Sequence, residues 1–179
     1  MNPLLGLFLA LRTVQQALED ALAVLNWRYV TEPGRQAEAA RVLGLSGDEM
    51  RAAHAYAADR YRFGRAHAWV DMLVTLGFLA AGGLRAVETA SRKLAAPVGS
   101  GPVATGLAFF AVLGLLSAIY AVPFSLYFTF VIEERHGFNR QTLAGFFLDR
   151  LKGLAIGAVL GAPLLAAVLW LIGHAGPHW

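Results

Sequence analysis

The densest chemistry in the sequence is a charged cluster, Glu133, Glu134, Arg135 and His136, which follows a long segment without charge. Glu133 and His136 form a Glu-x-x-His pair, a spacing that helical bundles use to hold two metal ions when a second copy and further glutamates face it. The sequence has no second copy, so this pair does not predict a metal site within the chain. The alternative is a solvated cluster that caps a membrane helix, with pairs to neighbours such as Arg140 that stabilise little on an exposed surface.

Two histidines near the end of the sequence, His174 and His178, have the i, i+4 spacing of zinc-binding helices. In that motif a glutamate directly after the first histidine acts as general base, whereas this sequence has Ala175 there. Gly176 and Pro177 would also break the helix that sets the spacing. We therefore interpret the tail as a membrane exit rather than a zinc site.

One carboxylate, Asp71, lies inside an otherwise apolar segment. Ionisable groups within a membrane are costly, so they mark functional contacts or pairs with other helices, here with Arg65 or Arg12 as candidate partners. Asp71 lies only about two helical turns from the polar end of its segment. Ordinary pairing at the membrane interface is therefore an equally good interpretation of this residue.

The amino-acid composition predicts the environment of the chain. The chain of 179 residues is 57% hydrophobic and 15% charged, against about 25% charged residues in soluble domains, and its mean hydropathy is +0.53. We therefore predict a protein embedded in the lipid bilayer. The absence of cysteine excludes disulfides and thiolate metal sites. The net charge of +3 comes from scattered arginines and provides no basic stripe for nucleic acid.

Two long segments without charge predict membrane-spanning helices. Such a helix needs about 20 apolar residues, and no charged residue occurs between Lys93 and Glu133 or after Lys152. We place these two spans at residues 103–130 and 153–173.

Proline and glycine residues within these spans predict local features. Pro123 lacks a backbone donor, so we expect a kink there. Gly157 and Gly161 have the spacing of a small-residue packing motif, so we expect another helix to approach closely at these positions.

Two further spans, at residues 4–26 and 66–85, contain some polar residues. A polar connector, residues 28–65, joins them and contains an amphipathic helix headed by a capping box of Ser46 and Glu49. The alternative for the first segment is an amphipathic helix lying on the membrane surface, but its length, with charges near its middle, favours a span. The predicted fold class is an all-α integral membrane helical bundle of about four transmembrane helices plus one amphipathic connector helix, with residues 1–179 forming a single domain.

The distribution of lysine and arginine predicts the orientation. The connectors 28–65 and 133–152 together carry eleven of these residues, and the connector 85–101 carries three. Because cytoplasmic loops are enriched in positive charge, we expect the two basic connectors in the cytoplasm and both termini outside. The richness in alanine, glycine and arginine is typical of a GC-rich bacterial genome, so the predicted location is a bacterial inner membrane.

One block of the sequence resembles a known family. The residues PFSLYFTFVIEERHGFNRQT (123–142), followed by GFFLDRLKG (145–153), resemble the signature region of membrane zinc metalloendopeptidases of the type I CAAX prenyl protease kind. LNWR (25–28) resembles the end of that family's first helix, and YAADRYRFG (56–64) resembles a segment before its second helix. The resemblance covers essentially the whole chain, and the 123–142 block is its most specific part.

The resemblance implies the N-terminal helical half of a larger membrane enzyme whose helices surround a water-filled chamber. In such enzymes an HExxH helix and a further glutamate hold zinc, which activates water to hydrolyse a peptide bond. No HExxH occurs in these 179 residues, so we expect no cofactor and no catalytic residue in this chain. Zinc is implied only for the complete enzyme, and we expect no proteolysis without the C-terminal catalytic half. By resemblance, Glu133, Glu134, His136, Asn139 and Arg140 lie at the chamber mouth or contact a peptide or protein substrate.

Two other functions stay open. One is a non-catalytic membrane scaffold or regulatory subunit that docks on a separate peptidase subunit, since polar groups in the first two spans need partners. The other is a small transporter component in which Glu19, Asp20 and Asp71 line a wet path. Transporters usually show internal repeats or matching broken helices, and this sequence shows neither, so the transporter is the weaker alternative.

Overall fold

The computed structural model describes residues 3–99 and 101–174, and this part of the chain is helical, without β-strands. Its elements are α1 (Pro3–Val30), α2 (Pro33–Leu43), α3 (Gly47–Ala80), α4 (Gly83–Ala95), α5 (Pro102–Tyr127), a π-helix (Phe128–Glu133) and α6 (Leu143–His174). The chain forms two compact units, which we call the first body (Met1–Ala80 and Tyr127–Asn139) and the second body (Ala81–Leu126 and Arg140–Trp179). The all-α fold class is confirmed, and the single domain over residues 1–179 stays a prediction.

In the first body, α1 and α3 pack antiparallel. Asp20 of α1 meets Arg65 of α3, while Trp27, later in α1, stacks on Tyr61, earlier in α3, with 4.6 Å between ring centroids. Gln16 on the same face of α1 is buried. The opposite face carries exposed leucines: Leu4, Leu7, Leu11, Leu18, Leu22 and Leu25. In a membrane-spanning helix, polar side chains face the protein because contact with lipid is costly, and leucines face the lipid. The arrangement in α1 therefore supports a span.

The short helix α2 was not predicted, although its boundary signals are present in the sequence. Pro33 stands in its first turn, and Gly44 ends it in the left-handed conformation at φ 65°, the usual asymmetry of proline before and glycine after a helix. A hydrogen bond of 2.9 Å between Gln36 and a ring nitrogen of His54 ties α2 to α3.

The capping box at the start of α3 is confirmed. The Glu49 backbone N–H donates to the Ser46 hydroxyl (3.2 Å), and the Ser46 backbone N–H donates to the Glu49 carboxylate (2.8 Å). The Ser46 backbone N–H, together with the hydroxyl, holds the pKa of Glu49 below its usual value. From there the helix runs unbroken to Ala80. The amphipathic connector helix and the first part of the span predicted at 66–85 are thus one continuous helix. A change from polar to apolar side chains changes what surrounds a helix and leaves its backbone intact, and the span bounds stay a prediction.

In the second body, residues predicted as the connector 85–101 form most of helix α4. One face of α4 is buried through Val87, Ser91 and Ala95 at a spacing of four, and the Ser91 hydroxyl donates to the Val87 carbonyl at 2.7 Å. Its polar residues suited a surface connector, but their periodicity is that of an amphipathic helix.

The two spans without charge are confirmed. Among the described residues, Pro102–Glu133 and Leu143–His174 are long and apolar enough to cross a membrane, and α3 together with α4 would make a third if the pair is one broken span. Helix α6 begins at Leu143, well before the predicted start at residue 153. Helix α1 has the length of a span but is not among these candidates, which are set by length and composition only.

The structure places the proline and glycine residues singled out within the two spans. Pro123 lies inside α5, and the helix continues past it into the π-helix; the kink stays a prediction. At Gly157 and Gly161 an added Cβ would meet no described atom within 4 Å, so no described helix approaches closely there, and the packing role of these glycines stays a prediction. At Gly106 an added Cβ would lie 2.6 Å from Cδ1 of Leu169. The glycine at the close contact between α5 and α6 is therefore Gly106. Glycine spacing alone does not reveal which helix face packs against a neighbour.

Candidate functional site

Residues 133–139 form a tight cap on the spanning helix. The backbone N–H of Phe138 donates to the Glu133 carbonyl at 2.8 Å, and that of Gly137 donates to the Glu134 carbonyl at 3.0 Å. Gly137 adopts φ 73°, the left-handed conformation that this Schellman arrangement needs and that glycine adopts without strain. The charge cluster is therefore a helix cap, as the simpler interpretation of the sequence held.

The cap is anchored to α3 through a carboxylate that the sequence interpretation missed. Nη1 of Arg135 and Nε2 of His136 both lie 3.0 Å from Oδ2 of Asp59. The side chains of Asp59 and His136 are 21% and 13% exposed, while that of Arg135 is 59% exposed. The hydrogen bond from His136, reinforced by Arg135, holds the pKa of the Asp59 carboxyl below its usual value, against partial burial, which raises it.

An aromatic ring on the same face of α3 covers the anchor. The Tyr56 ring meets the His136 ring edge-on at 5.2 Å and the Phe138 ring at 4.6 Å between centroids. Tyr56 and Asp59 are three residues apart, so they share one helix face. The cap thus contacts α3 through two polar donors and two rings, an arrangement that fixes its position and its rotation.

Within the cap, two of the predicted contact residues are joined to each other. Nδ2 of Asn139 donates to Oε2 of Glu134 at 2.8 Å, and Glu134 is exposed. The structure thus brings Glu133, Glu134 and Asn139 into one turn beside the anchored His136. Arg140, the remaining predicted contact, is exposed and belongs to the second body.

The polar contact inside the α1–α3 pair involves a residue other than the one predicted. Nε and Nη2 of Arg65 donate to the two carboxylate oxygens of Asp20 at 2.6 and 2.7 Å, and Trp69 also donates to Asp20. Asp71 is half-buried on α3 and, within residues 3–99 and 101–174, forms no ion pair. A polar contact of Asp71 stays a prediction, with Arg65 already occupied by Asp20.

The described residues contain no group of three His, Asp or Glu side chains that could hold a metal ion. His136, from the Glu-x-x-His pair, is engaged by Asp59. Nδ1 of His174 donates to the Trp170 carbonyl at 2.7 Å, and the two rings stack at 4.4 Å. His178, its predicted neighbour in the tail, lies outside the described residues.

The second body contains a cleft of about 400 Å³ lined by Arg92, Pro102, Thr105, Gly106 and Phe109. The guanidinium of Arg92 already donates to the Glu88 carboxylate at 2.8 Å. The charged side chain that lines the cleft, Arg92, is therefore already paired, and the other lining side chains are small or apolar. This set of groups is not a catalytic arrangement.

Comparison with known proteins shows the family of the chain. Residues 36–179 match the family model described as CAAX prenyl protease N-terminal, five membrane helices. The chain belongs to this family. The match includes α3, the π-helix and the cap, so the elements that build the site are family elements; the family description names five membrane helices, against about four predicted.

Curated relatives of the chain are eukaryotic CAAX prenyl protease 1 homologs. The one from Oryza sativa subsp. japonica is 36% identical over 137 residues, which cover 75% of this chain and 32% of the relative. The one from Arabidopsis thaliana is 34% identical over the same shares, and the one from Caenorhabditis elegans is 30% identical over 75% of this chain and 29% of the relative. The chain thus spans about a third of the length of these relatives. A bacterial source stays a prediction from composition.

Asp59 and Tyr56 are the site residues that sequence reasoning missed, although both lie inside YAADRYRFG, a block already quoted for its resemblance. A helix-face argument would have placed them together, since residues three apart are neighbours on a helix surface. Nothing in the sequence alone indicated that this face would receive a cap 76 residues away.

Proposed function

We propose that this chain is the N-terminal membrane portion of a CAAX-type zinc metalloendopeptidase and forms part of its chamber wall and substrate path. The observation that carries the proposal is the anchored cap at residues 133–139. It closes a membrane-spanning helix, presents polar side chains, and lies within the region that matches the CAAX prenyl protease N-terminal family. The coverage of about a third of the curated relatives leaves room for a catalytic part elsewhere.

The cap has groups suited to an extended peptide. An ionised carboxylate has about four acceptor sites, and Asn139 uses one of those of Glu134. The remaining sites can accept backbone N–H groups of a peptide, while Asn139 keeps the carboxylate oriented. Because Asp59 holds the turn against α3, these groups are fixed before the substrate arrives, which reduces the entropy lost on binding.

Zinc chemistry is assigned to the complete enzyme. When bound, zinc would polarise the peptide carbonyl and lower the pKa of a bound water. The described residues of this chain do not fit that role, because no three candidate ligands converge. We place the ligands in the C-terminal catalytic half, so this chain binds and orients substrate and is proteolytically inactive alone.

The partners and orientation follow from the same proposal. The lipid bilayer surrounds the spans, and the substrate is a peptide or protein; the relatives' name points to prenylated CAAX proteins as one class. The basic connectors 28–65 and 133–152 face the cytoplasm, both termini lie outside, and the location is a bacterial inner membrane. This orientation puts the cap on the cytoplasmic side.

The substrate path can be tested in an enzyme that joins this chain to its peptidase half. Glu134→Gln and Asn139→Ala should each lower kcat/KM by about fivefold, the effect of one lost hydrogen bond. Membrane insertion should be unchanged. Glu38→Gln, on an exposed position of α2, is the matched control and should leave turnover at the wild-type level. Wild-type kcat/KM in both cap variants would eliminate the substrate-path role.

A second experiment separates this function from a scaffold role. The 179-residue chain, purified in detergent, should neither cleave peptides nor bind stoichiometric zinc. Peptidase activity in that sample would contradict the proposal. If the chain instead co-purifies from its native membrane with a zinc peptidase encoded by another gene, it acts as a docking subunit.

A further inference from the structure

We propose that Asp59 is a positioning residue that holds the cap, residues 133–139, in the orientation a substrate meets. The inference rests on the proposed function for its effect on substrate, but the positioning itself is a property of this chain. Nothing in the family match or in the relatives assigns a role to this residue.

The geometry at Asp59 is that of a two-point anchor. One oxygen, Oδ2, accepts from both Arg135 and His136 at 3.0 Å. The donors are consecutive residues of the helix end, so their side chains leave the backbone in different directions and converge again on one atom. A single contact would let the turn pivot, whereas two converging contacts fix its rotation about the helix axis.

Asp59 is the carboxylate of α3 that contacts the His136 ring. Within the described part of the first body, α3 faces the imidazole with Asp59 and the Tyr56 ring. The guanidinium of Arg60 lies 5.5 Å from the centroid of the same Tyr56 ring. Removal of Asp59 would therefore leave the Arg135 guanidinium without the carboxylate that it pairs with.

The anchor and the cap are separable. The cap closes through backbone hydrogen bonds from Gly137 and Phe138, none of which involves Asp59. Loss of Asp59 should therefore leave the helix intact and free the cap to move against α3. A residue needed only for folding would instead change helix content along with the cap.

Hydrogen exchange of the 179-residue chain in detergent tests the positioning. Asp59→Ala should speed exchange in a peptide covering residues 133–142 by about tenfold, since local opening no longer breaks charged hydrogen bonds. Far-UV circular dichroism should be unchanged, and Asp59→Glu should restore most of the protection. The matched control is Asp48→Ala, which removes an aspartate paired with Arg51 in the exposed first turn of the same helix. Equal exchange in wild type and Asp59→Ala would overturn the inference.

A second pair of variants keeps the test valid if Asp59→Ala does not fold. Arg135→Gln combined with His136→Gln removes both donor side chains and leaves the α3 sequence unchanged. The same acceleration is expected in residues 133–142, and wild-type exchange rates in this double variant would also overturn the anchor.

Kinetics in the enzyme that contains the peptidase half separate this inference from the proposed function. If the cap contacts substrate, Asp59→Ala should raise KM about fivefold with kcat within about twofold of wild type, and Asp59→Glu should recover KM. Faster exchange with an unchanged KM would uphold the positioning and remove the substrate path. Unchanged exchange, together with activity lost in Glu134→Gln, would overturn the positioning and leave the substrate path standing.

Discussion

The contacts inside the first body differ in kind from those inside the second body. In the first body, charged and aromatic side chains from different elements meet: Asp20 with Arg65, Asp59 with Arg135 and His136, and Trp27 with Tyr61. In the described part of the second body, the ion pairs Glu88–Arg92 and Asp149–Lys152 each join residues of one helix. Its two spans instead meet at a glycine, where Gly106 accommodates Leu169.

The difference shows how geometry is fixed in lipid. Lipid tails are as apolar as leucine, so burial of leucine does not favour one arrangement of helices over another. Directional contacts are needed wherever a site requires a defined register, and the first body has them. Helix packing in the second body depends on the shape of the contacting side chains. Such packing tolerates exchange of one apolar side chain for another.

The largest expected effect comes from breaking the α1–α3 ion pair. Arg65→Gln leaves the Asp20 carboxylate against α3 without its cation, so the apparent Tm in detergent should fall by about 5–10 °C. Arg92→Gln in the second body removes an exposed pair and should shift the Tm by no more than about 1–2 °C. Adding Asp20→Asn to Arg65→Gln should recover part of the loss. Equal Tm shifts for the two arginine variants would contradict the proposed difference between the contacts of the two bodies.

A smaller effect is expected at the contact between Gly106 and Leu169, which depends on close packing alone. Gly106→Ile inserts a branched side chain against Leu169 and should lower the unfolding free energy, measured by denaturing-detergent titration, by about 1–3 kcal/mol. Gly157→Ile makes the same change at a position with open space and should cost much less. The shape argument is wrong if both substitutions cost the same.

The smallest effect is local and depends on pH. The folded-state pKa of Asp59 is below its ordinary value of 3.8, so its stabilising contribution is full above that pH and is lost as the pH falls through the folded pKa. The wild-type chain should therefore lose the protection of residues 133–142 against hydrogen exchange below about pH 4. Asp59→Ala should lack this transition. A transition of equal size in both proteins would assign it to another group.

The sequence predicted what depends on local composition. Uncharged segments predicted α5 and α6, and the capping box of Ser46 and Glu49 predicted the start of α3. The helix cap at the charged cluster was one of the two interpretations of the sequence, because charge after an apolar segment marks the end of a span. These features depend on residues near one another in the chain.

The features that were missed depend on distant parts of the chain. The ion pair that fixes α1 joins residues 45 apart, and the Asp59 anchor joins residues 76 and 77 apart. Helix α4 was missed because its polar residues suited a connector, and only its buried stripe of Val87, Ser91 and Ala95 reveals its packed face. The close contact of a glycine in the described spans is at Gly106 and not at Gly157 or Gly161, since spacing does not tell which face has a neighbour.

The π-helix, Phe128–Glu133, lies directly before the two residues that contact Asp59, Arg135 and His136. Its hydrogen bonds reach one residue further than those of an α-helix, which is equivalent to one inserted residue, and each helical residue turns the chain by about 100°. Arg135 and His136 follow this wider turn, so counting 100° per residue along residues 128–136 would misplace both donors relative to Asp59.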